Sequence, residues 1–203
     1  MEREDWDGRY SGEDLAMPAT PNPFIVEELL SVAPGRALDL GAGEGRHAIW
    51  LAGLGWAATA VDFSQVGLAK GERRAAVMGV RVDWVVADLR SFAPRPVFDL
   101  IISSFIHFGG EERTEYLVRA AGGLAPGGTL MVVGYDRCNG EAVRAGRGDP
   151  ARLFTVEELS GDLAGPAGLD VVRADRLAVP AGPDPAAIPS VEHKGDSPDI
   201  IDV

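Results

Sequence analysis

A glycine-punctuated turn constrains this chain more than any other stretch. Asp39-Leu40-Gly41-Ala42-Gly43-Glu44-Gly45-Arg46 follows the apolar pair Ala37-Leu38 and opens a helical segment, His47 to Leu54. A strand, a glycine turn and a helix start in that order make a ligand-cradling loop. Each glycine lacks a Cβ, so the backbone can turn tightly and approach a ligand closely. The helix start presents free N–H groups and a partial positive charge. Asp39 places a carboxylate at the strand's end, where it can meet a cationic amino group.

The rest of the chain supplies a sheet for that turn. Helical spacing runs from Phe24 to Leu30 and stops at Pro34-Gly35. Strands are expected at Ala37–Leu40, Ala58–Phe63, Val82–Ala87, Phe98–Ser104 and Thr129–Tyr135, with a long sixth at Leu169–Val179. Helices are expected at His47–Leu54, Ser64–Met78, Glu111–Leu124 and Thr155–Leu163. Pro126-Gly127-Gly128 ends the third of these, and Thr155 with Glu158 forms a capping-box pattern at the fourth. Near-continuous apolar strands separated by helices imply an α/β fold with a parallel sheet covered on both faces. Residues 1–23 read as a polar lead-in in which Pro18, Pro21 and Pro23 block a helix. Residues 180–199 read as a polar loop, and Ile200–Val203 as the start of a seventh strand.

At 203 residues, with 46% hydrophobic and 25% charged residues, the chain suits one globular domain, 1–203. A formal net charge of −12 argues against nucleic acid as a partner. The single cysteine, Cys138, excludes an intramolecular disulfide and a cysteine-cluster metal site, and no metal-ligand spacing appears elsewhere. No signal-peptide pattern and no membrane-length apolar run is visible, so no membrane partner is expected and the cytoplasm is the expected location.

Ligands of open parallel sheets bind beyond the carboxyl ends of the strands. Four strands here end in acids: Asp39, Asp62, Asp88 and Asp136. Asp62 follows Gly41 by roughly 20 residues, the spacing of an acid that binds ribose hydroxyls. It also suits the start of the following helix. Phe63 is placed to lie on an adenine face, and Asp88 to accept from an exocyclic amine. The dinucleotide fingerprint Gly-x-Gly-x-x-Gly fails in both registers, its third glycine falling on Arg46 or on Ala48. A carboxylate at Asp39 also suits S-adenosylmethionine (SAM) better than a pyrophosphate.

Taken together, Trp6-Asp7-Gly8-Arg9-Tyr10, Pro21-Asn22-Pro23-Phe24, Ala37 through Arg46, Ala60-Val61-Asp62-Phe63-Ser64, Ala87-Asp88-Leu89, Phe98-Asp99-Leu100-Ile101 and Leu124-Ala125-Pro126-Gly127-Gly128 resemble class I SAM-dependent methyltransferases. The resemblance is strongest to the small bacterial tellurite-resistance and thiopurine-type enzymes. It implies a Rossmann-like sandwich with a mostly parallel seven-stranded sheet, the last strand here being short enough that the sheet is either truncated or rebuilt at the tail. It implies SAM as cofactor, S-adenosylhomocysteine as product and a small-molecule acceptor. Asp39 with Gly41, Ala42 and Gly43 would face the methionine end. Asp62 and Phe63 would hold the ribose and adenine side, framed by Ala87, Asp88 and Leu89. Ser103 and Ser104 would lie under the sulfonium. Trp6 and Tyr10 would fold over the cofactor from a lid spanning 1–34.

In-line methyl displacement needs alignment first, and a base only where the acceptor must lose a proton. His107, just past the fourth strand, is the candidate base, with Tyr135 and Asp136 behind it. Arg144 and Arg147, in the glycine-bearing loop after the fifth strand, could contact an anionic acceptor but are read as solvated. His47 is read as a helix-surface residue, and His193 is given no role. A SAM-binding protein without transfer activity and a nucleotide-binding oxidoreductase are the competing readings.

Overall fold

The computed structural model of the protein describes residues 2–138, 149–178 and 199–202. The glycine turn sits where the fold requires it. β1 (Arg36–Leu40) is central, and the strand order runs β3-β2-β1-β4-β5 and then β7 and β6. β2 (Ala57–Asp62), β3 (Val82–Val86), β4 (Phe98–Ser104) and β5 (Leu124–Tyr135) all run parallel to β1. The order reverses between β1 and β4, so the crevice of the switch point opens beside the turn.

Alternation along the strands divides the core. Ala37, Leu100, Ile102, Met131 and Val133 pack on one face. They meet α2 (Pro23–Leu29), α3 (Arg46–Gly53) and α4 (Gln65–Val77) through residues such as Ile25, Leu51 and Leu68. Leu38, Leu40, Ile101 and Val132 pack on the other face with α5 (Gly110–Ala121) and α6 (Val156–Ala164), through Tyr116, Leu117, Leu159 and Leu163. Thr155 and Glu158 form the reciprocal cap expected of them at α6.

Several boundaries depart from the sequence reading. The lead-in contains a helix, α1 (Arg3–Tyr10), which ends well before the prolines. Pro23 does not block a helix but begins α2. It occupies the first turn, where no N–H is needed, and the Asn22 side chain accepts from Phe24 N at 2.9 Å. α5 ends at Ala121, and the Pro126-Gly127-Gly128 turn lies inside β5 as an irregularity opposite Phe98 and Leu100.

The sixth strand is much shorter than Leu169–Val179. β6 spans Asp175–Ala178 and pairs with β7 (Asp199–Asp202), and residues 169–174 lie outside it. Val172 is 94% exposed and belongs to no strand among the described residues. β7 is antiparallel to both β5 and β6 and lies between them. Most of the expected 180–199 loop, with Val203, His193, Arg144 and Arg147, lies outside the described residues.

Near the end of β5, Gly134 has no room for a side chain. A Cβ there would lie 2.4 Å from Phe154 Cζ and 3.0 Å from His107 Cε1. Gly134→Ala should therefore destabilise the fold by roughly 1–3 kcal/mol through overpacking. Urea unfolding measures it, and an unchanged midpoint would contradict this packing.

Candidate functional site

Gly41, Gly43 and Gly45 all adopt left-handed backbone, with φ of 69°, 54° and 74°. A side chain at these positions would be strained, which explains the triple repeat. The loop is tied to β2 on both sides. Gly41 N and Ala42 N donate to Val61 O at 2.8 and 3.0 Å. Gly43 N donates to Asp62 Oδ2 at 2.8 Å.

Asp62 is the joint of the site. Its Oδ1 accepts from Ser64 N at 2.8 Å, so one carboxylate holds both the glycine loop and the entry to α4. Ser64, rather than Asp62, caps α4, its Oγ accepting from Gly67 N. Asp62 is 5% exposed, and burial pushes its carboxyl upward, against the two backbone N–H bonds that favour the charge. Each oxygen accepts one bond, which leaves acceptor capacity for further donors.

Asp39 shares the face of Ala37 and is buried beneath α3. Its Oδ2 accepts from Ala48 N at 3.2 Å. His47 is a correction: it is not on the helix surface but 3% exposed. Its Nε2 accepts from Asn22 N at 3.2 Å, and its Nδ1 lies 3.8 Å from Asp39 Oδ1. Burial lowers its pKa, so the ring is the neutral tautomer with hydrogen on Nδ1. No local periodicity reveals this role, because the partner comes from the cap of α2.

The N-terminal segment covers the loop. A Cβ on Gly43 would lie 2.5 Å from the Tyr10 hydroxyl, and one on Gly41 would lie 2.2 Å from Ile106 Cδ1. Tyr10 is buried and stacks on half-buried Trp6, ring centroids 5.4 Å apart. Asp7 Oδ1 accepts from Ser64 Oγ at 2.5 Å.

At the end of β2, Phe63 is half-buried beside Asp62, and Ala87 N donates to Asp62 O at 3.0 Å. Asp88 closes a turn, its Oδ1 accepting from Arg90 N at 2.9 Å. Leu89 is buried near Gly41. At the end of β4, Ser103 is buried and receives the Tyr116 hydroxyl at 2.8 Å. Ser104 Oγ is buried without a hydrogen-bond partner among the described residues.

The candidate base is enclosed. His107 stacks against Tyr135 at 5.6 Å and tilts against Phe154 at 5.5 Å. Its Nε2 accepts from Tyr135 N at 3.5 Å. Burial pulls its pKa down to about 4, which makes it a weak proton acceptor near neutrality. Asp136 is fully buried. Its Oδ1 accepts from Cys138 N at 2.6 Å and its Oδ2 pairs with Arg176 at 2.7 Å, toward β6. Tyr135 is half-buried against Phe105, 4.9 Å between ring centroids.

Sequence reasoning passed over Arg46. Its guanidinium lies 6.0 Å over the Phe105 ring and shares the fields of Asp39, Tyr135 and Tyr10. A basic residue directly after the third glycine was the available signal. A groove of about 630 Å³ between the Ser11–Leu15 segment and α4 contains none of the expected site residues.

This geometry can be set beside known proteins. Residues 37–128 match the family model described as a methyltransferase domain. That span runs from β1 to the glycine turn inside β5 and contains all three loop glycines, Asp62 and Asp88. Over 94 residues the chain is 31% identical to the ubiquinone biosynthesis O-methyltransferase of Paramagnetospirillum magneticum, covering 46% of this chain and 38% of that protein. The chain thus spans well under half of that relative.

Solved structures share the fold of the methyltransferase domain. One comes from work on the conversion of a disulfide bond into a thioacetal group during echinomycin biosynthesis. It aligns with a TM-score of 0.75 at 22% identity, covering 98% of this chain and 90% of its own. Magnesium protoporphyrin IX methyltransferase from Synechocystis, solved with bound S-adenosylhomocysteine, aligns at 0.65 and 15% identity, covering 98% and 92%. The cyclase SpnF aligns at 0.63 and 24% identity, covering 77% and 58%.

Two measurements test the site geometry. Asp62→Asn leaves one carbonyl oxygen for two buried N–H donors and should cost roughly 1–3 kcal/mol of stability. Unchanged denaturant unfolding would show that the clamp is dispensable. The second concerns His107. Between pH 6.5 and about 4 the unfolded chain binds a proton that the folded imidazole refuses. This contribution to stability is therefore complete above pH 6.5 and is lost as pH falls toward 4. Buried His47 acts in the same direction and Asp62 in the opposite one. The comparison of wild type with His107→Phe isolates one group. The variant should lose less stability across that window, whereas parallel curves would contradict the burial effect.

Proposed function

We propose that the protein transfers a methyl group from SAM to a small-molecule acceptor. The observation that carries this reading is the loop of three left-handed glycines at the switch point, clamped by Asp62 and floored by Asp39. The residues fit the cofactor. Asp62 retains acceptor capacity for ribose hydroxyls and Asp88 presents a partly exposed carboxylate at the end of β3. The turn of Gly41, Ala42 and Gly43 would receive the methionine end, with Phe63, Ala87 and Leu89 around the base and Ser103 and Ser104 below the sulfur. The methyltransferase-domain match over the same residues supports it. So does the O-methyltransferase likeness, within its limited span. We read β6 and β7 as closing a seven-stranded sheet of this type, and 1–34 as its lid.

When bound, SAM supplies an activated methyl group. The chain's own work is to bind, orient and exclude water. Tyr10 and Ile106 lie directly against the glycines, so α1 and the segment after β4 form the cover that admits the ligand. Asp39, through His47 and Asn22, couples the floor of the loop to the start of α2. Tyr135 and His107 form the wall at the end of β5, and their stacking fixes the acceptor side of the crevice.

Calorimetric titration tests this reading. SAM and S-adenosylhomocysteine should bind in the micromolar range, about the scale of metabolite sites. NAD should give no heat. Silence with both sulfur ligands would overturn the proposal. Binding without any transfer would favour a regulatory SAM-binding protein instead.

A further inference from the structure

Arg46 occupies the first position of α3, directly beneath the glycine loop. Its guanidinium is half-buried, and among the described residues it makes no hydrogen bond and no ion pair within 4 Å. It lies 6.0 Å over the ring of Phe105. Partly dehydrated cations are costly when nothing pairs with them, so such a group is suited to receive an anion. The field of the Asp39 carboxylate acts on it, yet Asp39 is directed at Ala48 N and His47.

The wall beside Arg46 is built at a cost. Phe105 has φ of +58° and is the one non-glycine residue with positive φ among those described. Such backbone is strained for a residue with a Cβ and persists only where surroundings enforce it. Here Phe105 N donates to Val133 O at 2.7 Å, which pins the turn after β4. The result is an aromatic surface of Phe105 and Tyr135, with the Arg46 cation above it and the unpartnered Ser104 hydroxyl next in the chain.

Among the described residues the same wall offers no free base. His107 Nε2 is occupied by the Tyr135 N–H, and the Asp136 carboxylate by Cys138 N and Arg176. Among the described residues, what favours deprotonation of an acceptor is its own acidity and a nearby positive charge.

We propose that Arg46 binds the anionic nucleophile of a small aryl acceptor, a phenolate, thiolate or carboxylate whose ring lies on Phe105 and Tyr135. This rests on the methyl-transfer reading above. The acceptor loses its proton to water before transfer, and the guanidinium, which holds its own proton, favours the anion without quenching it. A lone pair of the anion then forms the bond to the methyl carbon. The methyl–sulfur bond breaks and its electron pair stays on sulfur. The negative charge of the acceptor and the positive charge of the sulfonium vanish together, and no proton moves in that step.

Full-length wild type, Arg46→Gln and Arg46→Lys are compared. Calorimetry with S-adenosylhomocysteine and with 5′-methylthioadenosine, which lacks the amino-acid end, reports the cofactor side. Turnover of 4-nitrophenol, thiophenol and benzoate, against aniline as a neutral ring of similar size, reports the acceptor side. We expect Arg46→Gln to bind S-adenosylhomocysteine within about threefold of wild type and to lose about 100-fold or more in kcat/KM for the anions. Arg46→Lys should recover part of that loss, and aniline should not be methylated.

A fall in S-adenosylhomocysteine affinity with 5′-methylthioadenosine unchanged would overturn the proposal and assign Arg46 to the cofactor's carboxylate. Aniline turning over as fast as the anions would overturn it too, as would failure of all three anions in a chain that binds S-adenosylhomocysteine. Absence of S-adenosylhomocysteine binding to wild type would bring down the methyl-transfer reading beneath it, and is thereby distinguishable.

Discussion

The carboxylate of Asp62 holds the functional end of the sheet together. It is buried, and burial alone would favour its neutral form. Two backbone donors, Gly43 N and Ser64 N, compensate by bonding one oxygen each. The consequence is geometric. The loop after β1 and the turn after β2 cannot move independently, and the left-handed glycines are held in a conformation that few other residues tolerate. A carboxylate is needed here, since an amide offers one acceptor where two are required.

A second set of charges fastens the N-terminal segment over that loop. Lys70 Nζ donates to the carbonyls of Tyr10, Gly12 and Asp14 and pairs with Glu44 at 3.0 Å. Glu44, the variable residue between the second and third glycines, accepts in turn from Ala16 N and Met17 N at 3.2 and 3.1 Å. Arg74 donates to Glu44 O at 2.8 Å. The loop therefore reads its own cover: a residue within the turn bonds the strap that brings Tyr10 onto Gly43. Such buried pairs contribute more to registering one segment on another than to net stability.

How much of this was legible follows from the range of the forces involved. The five parallel strands, the glycine turn and the α6 cap announce themselves in runs of adjacent residues, so local pattern suffices. α1 escaped because only Tyr10 among its residues is buried and its surface is otherwise polar. The start of β6 was placed too early because apolar character does not tell where pairing with the neighbouring strand begins. His47 was misplaced on the surface because its burial depends on Asn22, a partner that arrives through the tertiary fold. The residues expected at the site divide similarly. Asp39, Asp62, Tyr10 and Leu89 do converge on the glycine loop, whereas Asp136 turns toward β6 and His107 is locked into a ring stack. Arg46 was in plain view, but that it has no ion pair among the described residues becomes visible only once Asp39 is seen to bond Ala48 N and face His47.

The proposed methyl transfer requires the donor to dock at the clamped glycine loop. Amide chemical shifts of the isotopically labelled protein test it most directly. On addition of S-adenosylhomocysteine, the amides of Gly41, Gly43 and Gly45 and the residues around Asp62 and Tyr10 should shift together and saturate as one site. Saturable shifts confined to the groove between Ser11–Leu15 and α4, with the loop glycines unmoved, would contradict the account.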